Sequence, residues 1–511
     1  MDIGSTLAKH ARCTPEKIAV YFKDKSYTYD RFNREVNRLT HALIREGINK
    51  GDKIALMMKN SDMYMIAFLA IMKVGGVAVP VNYRLTPREV AYILDDSDSK
   101  IVFFDDEYSE IIHQAGQVNS KIATFVSVGN RTEPGQKRLE EIITNIESDP
   151  SVYINESDDA EILYTSGTTG NPKGVLIDHH RLIHVAYGAG NNLRLNPQDN
   201  LIHLAPLIHA AQLNGFMVPG TFFGCTQVVQ ESFEPVEVLK AIEHYKISLF
   251  FGVPTMYNFL LQVKDKEKYD LSSVNRCGYG ASPMPVSLLE KAMEMFNTDQ
   301  FYNMCGLTEG GPGGIYLTPK DHKTKMGASG KSRFLMEARV VDQQGKDVAP
   351  GEEVGELILR GETVMKEYYK KPEATAETLR NGWLYTGDLC IIDEEGFITL
   401  VDRRKDMIIS GGVNIYSTEV EQVLYMHPDI LEAAVIGMPD EVWGEKVTAV
   451  FVPKNGKKIS EEDIIAFCRT ELAGYKIPRM VVESDQLPRN ASGKVLKYQL
   501  RDEIKAVTSN R

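Results

Sequence analysis

The chain has 511 residues, 43% apolar and 25% charged, the balance of a globular protein too long for one hydrophobic core. Its net charge of −12 argues against a nucleic-acid partner, because nothing in it balances a phosphate backbone. The six cysteines, at 13, 225, 277, 305, 390 and 468, show no CxxC pair, which fits reduced thiols in a cytoplasmic protein and not a disulfide frame or zinc site.

The segment Met1 to Cys13 carries charges and lacks the apolar core of a signal peptide. Lys53–Met58 then predicts a strand, Tyr64–Lys73 a helix, Val77–Val81 a strand, Pro87–Leu94 a helix and Ile101–Phe104 a strand. That alternation implies α/β layers on a largely parallel sheet. Met63 to Val81 is the most apolar stretch, but Lys73, Gly75, Gly76 and Pro80 break it, so a buried helix and strand are expected and no transmembrane segment. Strand-like runs Ile162-Leu163-Tyr164 and Val175-Leu176-Ile177 bracket a glycine-rich loop. His179, His180 and His184 cluster just after it, without a spaced cysteine or carboxylate, so no metal site is expected there.

A second α/β round follows: Asn200–Leu204, a helix near Pro235–His244, Leu249–Phe251, and a helix from Pro285 to Met295. Two wound sheets side by side account for the length. After Leu389 the texture turns to short β structure (Ile391-Ile392, Gly396–Val401), then a charged junction, Asp402-Arg403-Arg404-Lys405-Asp406. Beyond it Thr418 and Glu421 suggest a capping box opening a helix with Val420, Val423 and Leu424 on one face. Strands Ala433–Ile436 and Val447–Val452 follow, and Ser460 to Asp463 caps a helix through Leu472. The expected architecture is α/β: a large N-terminal domain of wound sheets with a β-rich subdomain over 1–402, and a small mobile α+β domain over 403–511.

The bracketed loop, Thr165-Ser166-Gly167-Thr168-Thr169-Gly170-Asn171-Pro172-Lys173-Gly174, reads as a polyphosphate cradle. Its glycines let backbone approach a bulky anion, and its hydroxyls and lysine supply donors. It is not a Walker A loop, because Thr168 and Gly174 stand where that motif needs Gly and Ser or Thr. In Asn303-Met304-Cys305-Gly306-Leu307-Thr308-Glu309, a hydroxyl beside a carboxylate suits a phosphate oxygen and Mg²⁺. Tyr385-Thr386-Gly387-Asp388 reads on its own as a Gly-Asp turn whose carboxylate carries two acceptor oxygens.

Together with Gly278-Tyr279-Gly280-Ala281-Ser282, Ser410-Gly411-Gly412 and Pro488-Arg489-Asn490-Ala491-Ser492-Gly493-Lys494, these motifs run in the order of one family. The chain resembles, over essentially its whole length, the adenylate-forming superfamily of acyl-CoA synthetases, adenylation domains and beetle luciferases. The resemblance implies that Thr165, Ser166, Gly167, Thr168, Thr169, Gly170 and Lys173 hold the β- and γ-phosphates of ATP. It implies that Thr308 meets a phosphate oxygen, that Glu309 binds Mg²⁺, and that Asn303 lies in this nucleotide motif. Gly280, Ala281 and Ser282 would wall the adenine, Asp388 would hold the ribose, and Arg403 would reach ribose and α-phosphate. Lys405 would be the hinge, Gly411 and Gly412 would line the pantetheine arm of coenzyme A, and Lys494 would bridge carboxylate and α-phosphate. Cys305 replaces a usual aromatic that stacks on adenine, Val413 a usual Glu and Ser417 a usual Pro.

The implied reaction is ATP-dependent: a carboxylic acid becomes acyl-AMP with loss of pyrophosphate, and CoA then takes the acyl group. Pro206-Leu207-Ile208-His209 resembles the motif ahead of the acyl pocket, where His209 meets the carboxylate or gates the pocket. Ala205 to Gly224 contains no Asp, Glu, Lys or Arg, which disfavours an amino acid or a dicarboxylate and favours an apolar monocarboxylic acid, fatty or aryl. Two alternatives remain open: an enzyme loading an acyl carrier protein, and a nucleotide-binding regulator without turnover. The latter would suit a chain lacking Lys494 or Glu309. A homodimer is compatible with all of these readings.

Overall fold

The computed structural model describes residues 2–118, 122–165, 171–351, 353–454, 456–489 and 494–509. Two large sheets carry most of the chain before residue 370. In one, of eight strands, Lys53–Met57 pairs in parallel with Val77–Pro80 and Ser99–Asp105, and Val77–Pro80 with Asp159–Thr165. Lys173–Asp178 then turns back antiparallel on Asp159–Thr165, with Thr165 opposite Lys173. In the other, of nine strands, Asn200–His203, Leu249–Gly252, Arg276–Gly280 and Phe301–Gly306 run in parallel. The doubly wound expectation is met.

Helix Asp62–Val74 explains the apolar stretch. Its faces are buried all round, and with helix Tyr29–Arg45 it joins Val20 of one sheet and Leu56 of the other in one core cluster. Each fully buried Phe or Leu there contributes about 1.5–3 kcal/mol. Lys73 survives in this core because its amine donates to Asn33 Oδ1 at 2.6 Å, Asn37 Oδ1 at 2.7 Å and Asp149 Oδ1 at 2.6 Å. Burial pushes the amine's pKa down, and Asp149 opposes that.

A five-stranded antiparallel sheet, Met336–Val341, Gly355–Gly361, Leu379–Arg380, Trp383–Ile392 and Ile398–Arg403, forms the β-rich part. It docks on the edge of the nine-stranded sheet through a cluster containing Ile315, Leu359, Cys390 and Ile398, with Cys305 packed against it. The chain after residue 407 builds a separate five-stranded sheet around Ile430–Asp440 and Gly444–Pro453. Successive residues on these strands point to opposite faces. Ala433, Val435 and Phe451 meet the helices Ser417–Met426 and Glu461–Glu471, while Ala434, Ile436 and Val450 meet Leu500 and Ile504 of helix Lys497–Ser509.

Ser460 caps its helix as expected, accepting from Asp463 N within a capping box. The box expected at Thr418 and Glu421 is absent, because both side chains have stronger partners. The helix begins at Ser417 with no side-chain cap. Thr418 Oγ1 donates to the Val401 carbonyl, and half-buried Glu421 pairs with Lys497 at 2.7 Å and accepts from Val435 N at 2.9 Å. No helix among the described residues is long and apolar enough to cross a membrane.

Candidate active site

The strand–loop–strand unit places Thr165 and Lys173 side by side at the mouth of a hairpin. Ser166, Gly167, Thr168, Thr169 and Gly170 lie outside the described residues. Lys173 Nζ stands 4.8 Å over the Tyr368 ring, a cation–π contact. The Tyr368 hydroxyl donates to Glu309 Oε1 at 2.8 Å. Tyr368 reaches this position because Glu367–Tyr368 pairs antiparallel with Lys173–Asp178. It was not legible in the sequence, where Glu367-Tyr368-Tyr369 carries no spacing signal.

Thr308 and Glu309 sit in a single 3-10 turn, Thr308–Gly310, which follows strand Phe301–Gly306. The turn is fastened from one side: Met365 N donates to the Glu309 carbonyl at 2.8 Å, and Thr363 Oγ1 to the Gly310 carbonyl at 2.7 Å. Glu309 keeps lone pairs beyond the one Tyr368 uses, which suits a hard cation such as Mg²⁺. Asn303, on the same strand, donates weakly to the Ala328 carbonyl at 3.4 Å.

Gly280 lies opposite Met304, and a Cβ there would fall 2.3 Å from the Met304 carbonyl oxygen. Only glycine permits that approach. Ala281 follows in a left-handed conformation, φ +65°, and Ser282 in a bend, so the chain turns away and leaves backbone as the wall. Cys305 stands beside this wall. Burial pushes its thiol up to about 12, helped by Asp388, so it remains protonated and offers no charge.

Asp388 and Arg403 are cross-strand partners on Trp383–Ile392 and Ile398–Arg403. Arg403 Nε lies 3.1 Å from Asp388 Oδ1, an ionic contact whose N–H direction misses a hydrogen bond. That buried oxygen therefore has no hydrogen-bond partner among the described residues. A buried acceptor left so is costly unless a ligand satisfies it, and ribose hydroxyls fit. Glu356 sets the turn before it: Oε1 accepts from Gly387 N at 2.9 Å and Oε2 from Arg404 at 2.6 Å. The one signal of Glu356 in the sequence is a carboxylate inside the apolar run Gly355–Leu359.

Lys494 arrives from the C-terminal unit and faces Arg403, Asp388, Lys405 and Asp406. Burial pushes its amine down to about 8; the cations Arg403 and Lys405 add to this, and Asp388 opposes it. Lys405 is depressed for the same first reason, burial. Asp402 ties the two units. Its Oδ2 accepts from Ser417 N at 2.6 Å and Ser417 Oγ at 2.8 Å, and Lys497 donates to Ser417 Oγ at 2.6 Å. The backbone bond needs an N–H, which the family's usual proline lacks. Gly411 and Gly412, at φ +60° and +81°, form an exposed turn on the C-terminal sheet.

His209 precedes helix Ala210–Gln212, with Nε2 buried and no partner among the described residues. Burial, then Arg84, pushes it down to about 4, so the ring is neutral at pH 7. The stretch from Ala205 to Gly224 has no charged residue of its own, yet Glu161 reaches it from the strand before the glycine loop. Asn214 Nδ2 donates to Glu161 Oε2 at 2.8 Å, and burial pushes Glu161 up to about 8. Gly215 lies in a π-turn, Leu213–Met217, and a Cβ there would meet only Pro312 Cγ at 3.7 Å, so space opens beside it.

The chain matches the family model for AMP-binding enzyme over residues 7–369 and that for the AMP-binding enzyme C-terminal domain over 419–494. It is 35% identical to a feruloyl-CoA synthase of an Amycolatopsis species over 501 residues, 98% of each chain. It is 34% identical to a long-chain-fatty-acid–CoA ligase of Mycobacterium tuberculosis over 511 residues, 99% of each. An anthranilate CoA ligase solved in complex with anthranoyl-AMP superposes with a TM-score of 0.92 at 28% identity, covering 100% of this chain and 98% of that one. Adenylate-forming ligases use ATP with Mg²⁺ and CoA; the unpartnered Asp388 oxygen and the remaining lone pairs of Glu309 are compatible with ATP and Mg²⁺. The chain belongs to the AMP-binding enzyme family, as an AMP-forming acid–thiol ligase of the adenylate-forming superfamily.

Proposed function

We propose that this enzyme activates an apolar monocarboxylic acid, aryl or fatty, and passes it to coenzyme A. The observation that carries the substrate class is the acyl wall from Ala205 to Gly224. It has no charged side chain of its own, its His209 is neutral at pH 7, and it opens at Gly215. Glu161 enters that wall, and with a pKa near 8 it is largely uncharged at pH 7 as well.

In the first half-reaction a carboxylate oxygen attacks the α-phosphorus, and pyrophosphate leaves with the bonding pair. Two anions must meet, so the work is positioning and charge neutralisation. Lys173 and the loop 165–170 hold the leaving phosphates, Thr308 a phosphate oxygen, and Asp388 the ribose. Arg403 and Lys494 converge on the α-phosphate. Glu309 would hold Mg²⁺, which offsets charge on the phosphates when bound. The thiolate of CoA then attacks the acyl carbon, forming the thioester and releasing AMP. For that step residues 403–511 rotate about Lys405 against 1–402, withdrawing Lys494 and bringing Gly411 and Gly412 inward. The exposed position of that glycine turn while Lys494 faces Asp388 supports this reading.

The test is ATP–pyrophosphate exchange over a panel of hydroxycinnamates, benzoates, fatty acids, amino acids and dicarboxylates, followed by CoA-dependent AMP release. Exchange is expected with the apolar monocarboxylates alone. Preference for an amino acid or dicarboxylate overturns the substrate class, and exchange without CoA-dependent AMP release overturns the acceptor.

A further inference from the structure

Helix His179–Leu193 begins directly after strand Lys173–Asp178 and carries His180 and His184 one turn apart on one face. The sequence offers these imidazoles no suitably spaced carboxylate, but the fold does. Glu362 follows strand Gly355–Gly361 and stands over the same helical turn. One ligand atom from each of the three lies within 4.8 Å of the other two. His180 Nε2 is 2.8 Å from Glu362 Oε2, and the two imidazole centroids are 4.0 Å apart.

The hydrogen bonding already fixes one ligand's tautomer. His184 Nδ1 lies 2.7 Å from the His180 carbonyl. A carbonyl only accepts, so Nδ1 carries the hydrogen and the neutral ring presents its lone pair on Nε2, the arrangement that orients metal-binding histidines. His179 takes no part, because its side chain is fully buried on another face. His180 and His184 are partly exposed, and the Glu362 side chain is 54% exposed and has room to move. Beside His180 and Glu362 is an open depression of about 260 Å³, lined in part by Glu156, Asp178 and Arg181, with space for water as a fourth ligand.

We propose that His180, His184 and Glu362 form a surface site for a divalent transition-metal ion of the Zn²⁺ class, separate from the Mg²⁺ of the ATP site. Two imidazoles and one carboxylate are a borderline-soft donor set, which favours Zn²⁺, Co²⁺, Ni²⁺ or Cu²⁺ over Mg²⁺ or Ca²⁺. A tetrahedral ion with bonds of about 2.0–2.1 Å sets its ligand atoms roughly 3.3 Å apart, an adjustment within reach of side-chain rotations of the partly exposed His180, His184 and Glu362. The ion replaces the proton shared between His180 and Glu362, and that proton passes to Nδ1 of the same ring or to solvent. The site would staple helix His179–Leu193 to the segment from Glu362 to Tyr368, which fastens the Glu309 turn through Thr363 and Met365.

The probe is Co²⁺, added to the tag-free full-length chain after chelation and desalting, and followed by the visible d–d absorption of four-coordinate Co²⁺. One equivalent should saturate the band, Zn²⁺ should abolish it, and a large excess of Mg²⁺ should leave it. His184→Ala and Glu362→Gln, both surface changes checked for folding by circular dichroism, should each weaken Co²⁺ binding at least about 10-fold. His113→Ala, on helix Ser109–Val118, should not. Absence of a saturable band, displacement by Mg²⁺, or full binding in both variants overturns the site. None of these outcomes bears on ligase turnover, so the substrate reading stands or falls separately.

Discussion

Lys494 carries the sharpest prediction. Burial, with Arg403 and Lys405 adding to it, brings its amine to about 8, so its charge is lost as pH rises from 7 to 9. With that value about nine-tenths of the chains hold the cation at pH 7 and about one-tenth at pH 9. If the cation is what offsets the charge building between carboxylate and α-phosphate, kcat/KM for acyl-AMP formation falls about 10-fold across that interval, because this ratio reports the free enzyme's titration. The measurement is ATP–pyrophosphate exchange from about pH 6.5 to 9.5, repeated with Lys494→Arg. A guanidinium keeps its charge throughout, so the variant should have a lower plateau and no alkaline limb. With acyl-AMP and CoA supplied, both enzymes should lack the limb attributed to Lys494. A flat wild-type exchange profile, or the same limb in Lys494→Arg, would refute the reasoning.

Asp388→Asn weakens the acceptor offered to ribose; a charged hydrogen bond of roughly 1.5–3 kcal/mol corresponds to a rise of about 10- to 100-fold in KM for ATP, read in initial rates at saturating acid. Tyr368→Phe removes the donor to Glu309 and leaves the ring under Lys173. The Mg²⁺ concentration for half-maximal exchange should shift by about 3- to 10-fold with little change in the KM for the acid, and an unchanged Mg²⁺ dependence would discount the contact. Glu161 has a folded pKa raised from 4.5 to about 8, so the native state binds its proton more tightly and wild-type stability falls as pH rises through that window. Glu161→Gln has no proton to lose. Its melting temperature should gain on wild type between pH 5 and 8, against a ceiling of roughly 5 kcal/mol; an equal difference at both pH values counts against a buried, protonated Glu161.

The fold was largely legible because its strands are apolar runs between glycine and proline punctuation, as Val77–Pro80 and Leu249–Gly252 show. The cap at Ser460 was legible for the same local reason. What escaped were contacts made across the chain. Thr418 and Glu421 have the spacing of a capping box, but Val401 and Lys497, brought near only by folding, outbid the helix end. Tyr368 and Glu356 reach Glu309 and the Gly387 turn through hydrogen bonds between residues far apart in the sequence. Glu161 and Arg84 bring charge chemistry to an acyl wall whose own sequence is neutral. Motif residues such as Asp388 and Lys494 were visible because the order of motifs along the chain is itself a pattern.

The bonds from Asp402 to Ser417 and from Thr418 to Val401 span the junction at Lys405. Any swing of the C-terminal unit about that residue would have to undo them, at about 0.5–1.5 kcal/mol for the bond to the Val401 carbonyl and about 1.5–3 kcal/mol for each bond to an ionised Asp402. They therefore act as a detent, holding the face that carries Lys494 in register until something outweighs them. In the proposed cycle the detent would set how long an acyl-AMP, left behind when pyrophosphate departs, waits before the thiol face turns in. A proline at 417 would soften that catch by removing its N–H. If the C-terminal unit turns about Lys405 as proposed, the serine would make the residence time of the activated acid depend on one hydroxyl and one amide at the joint.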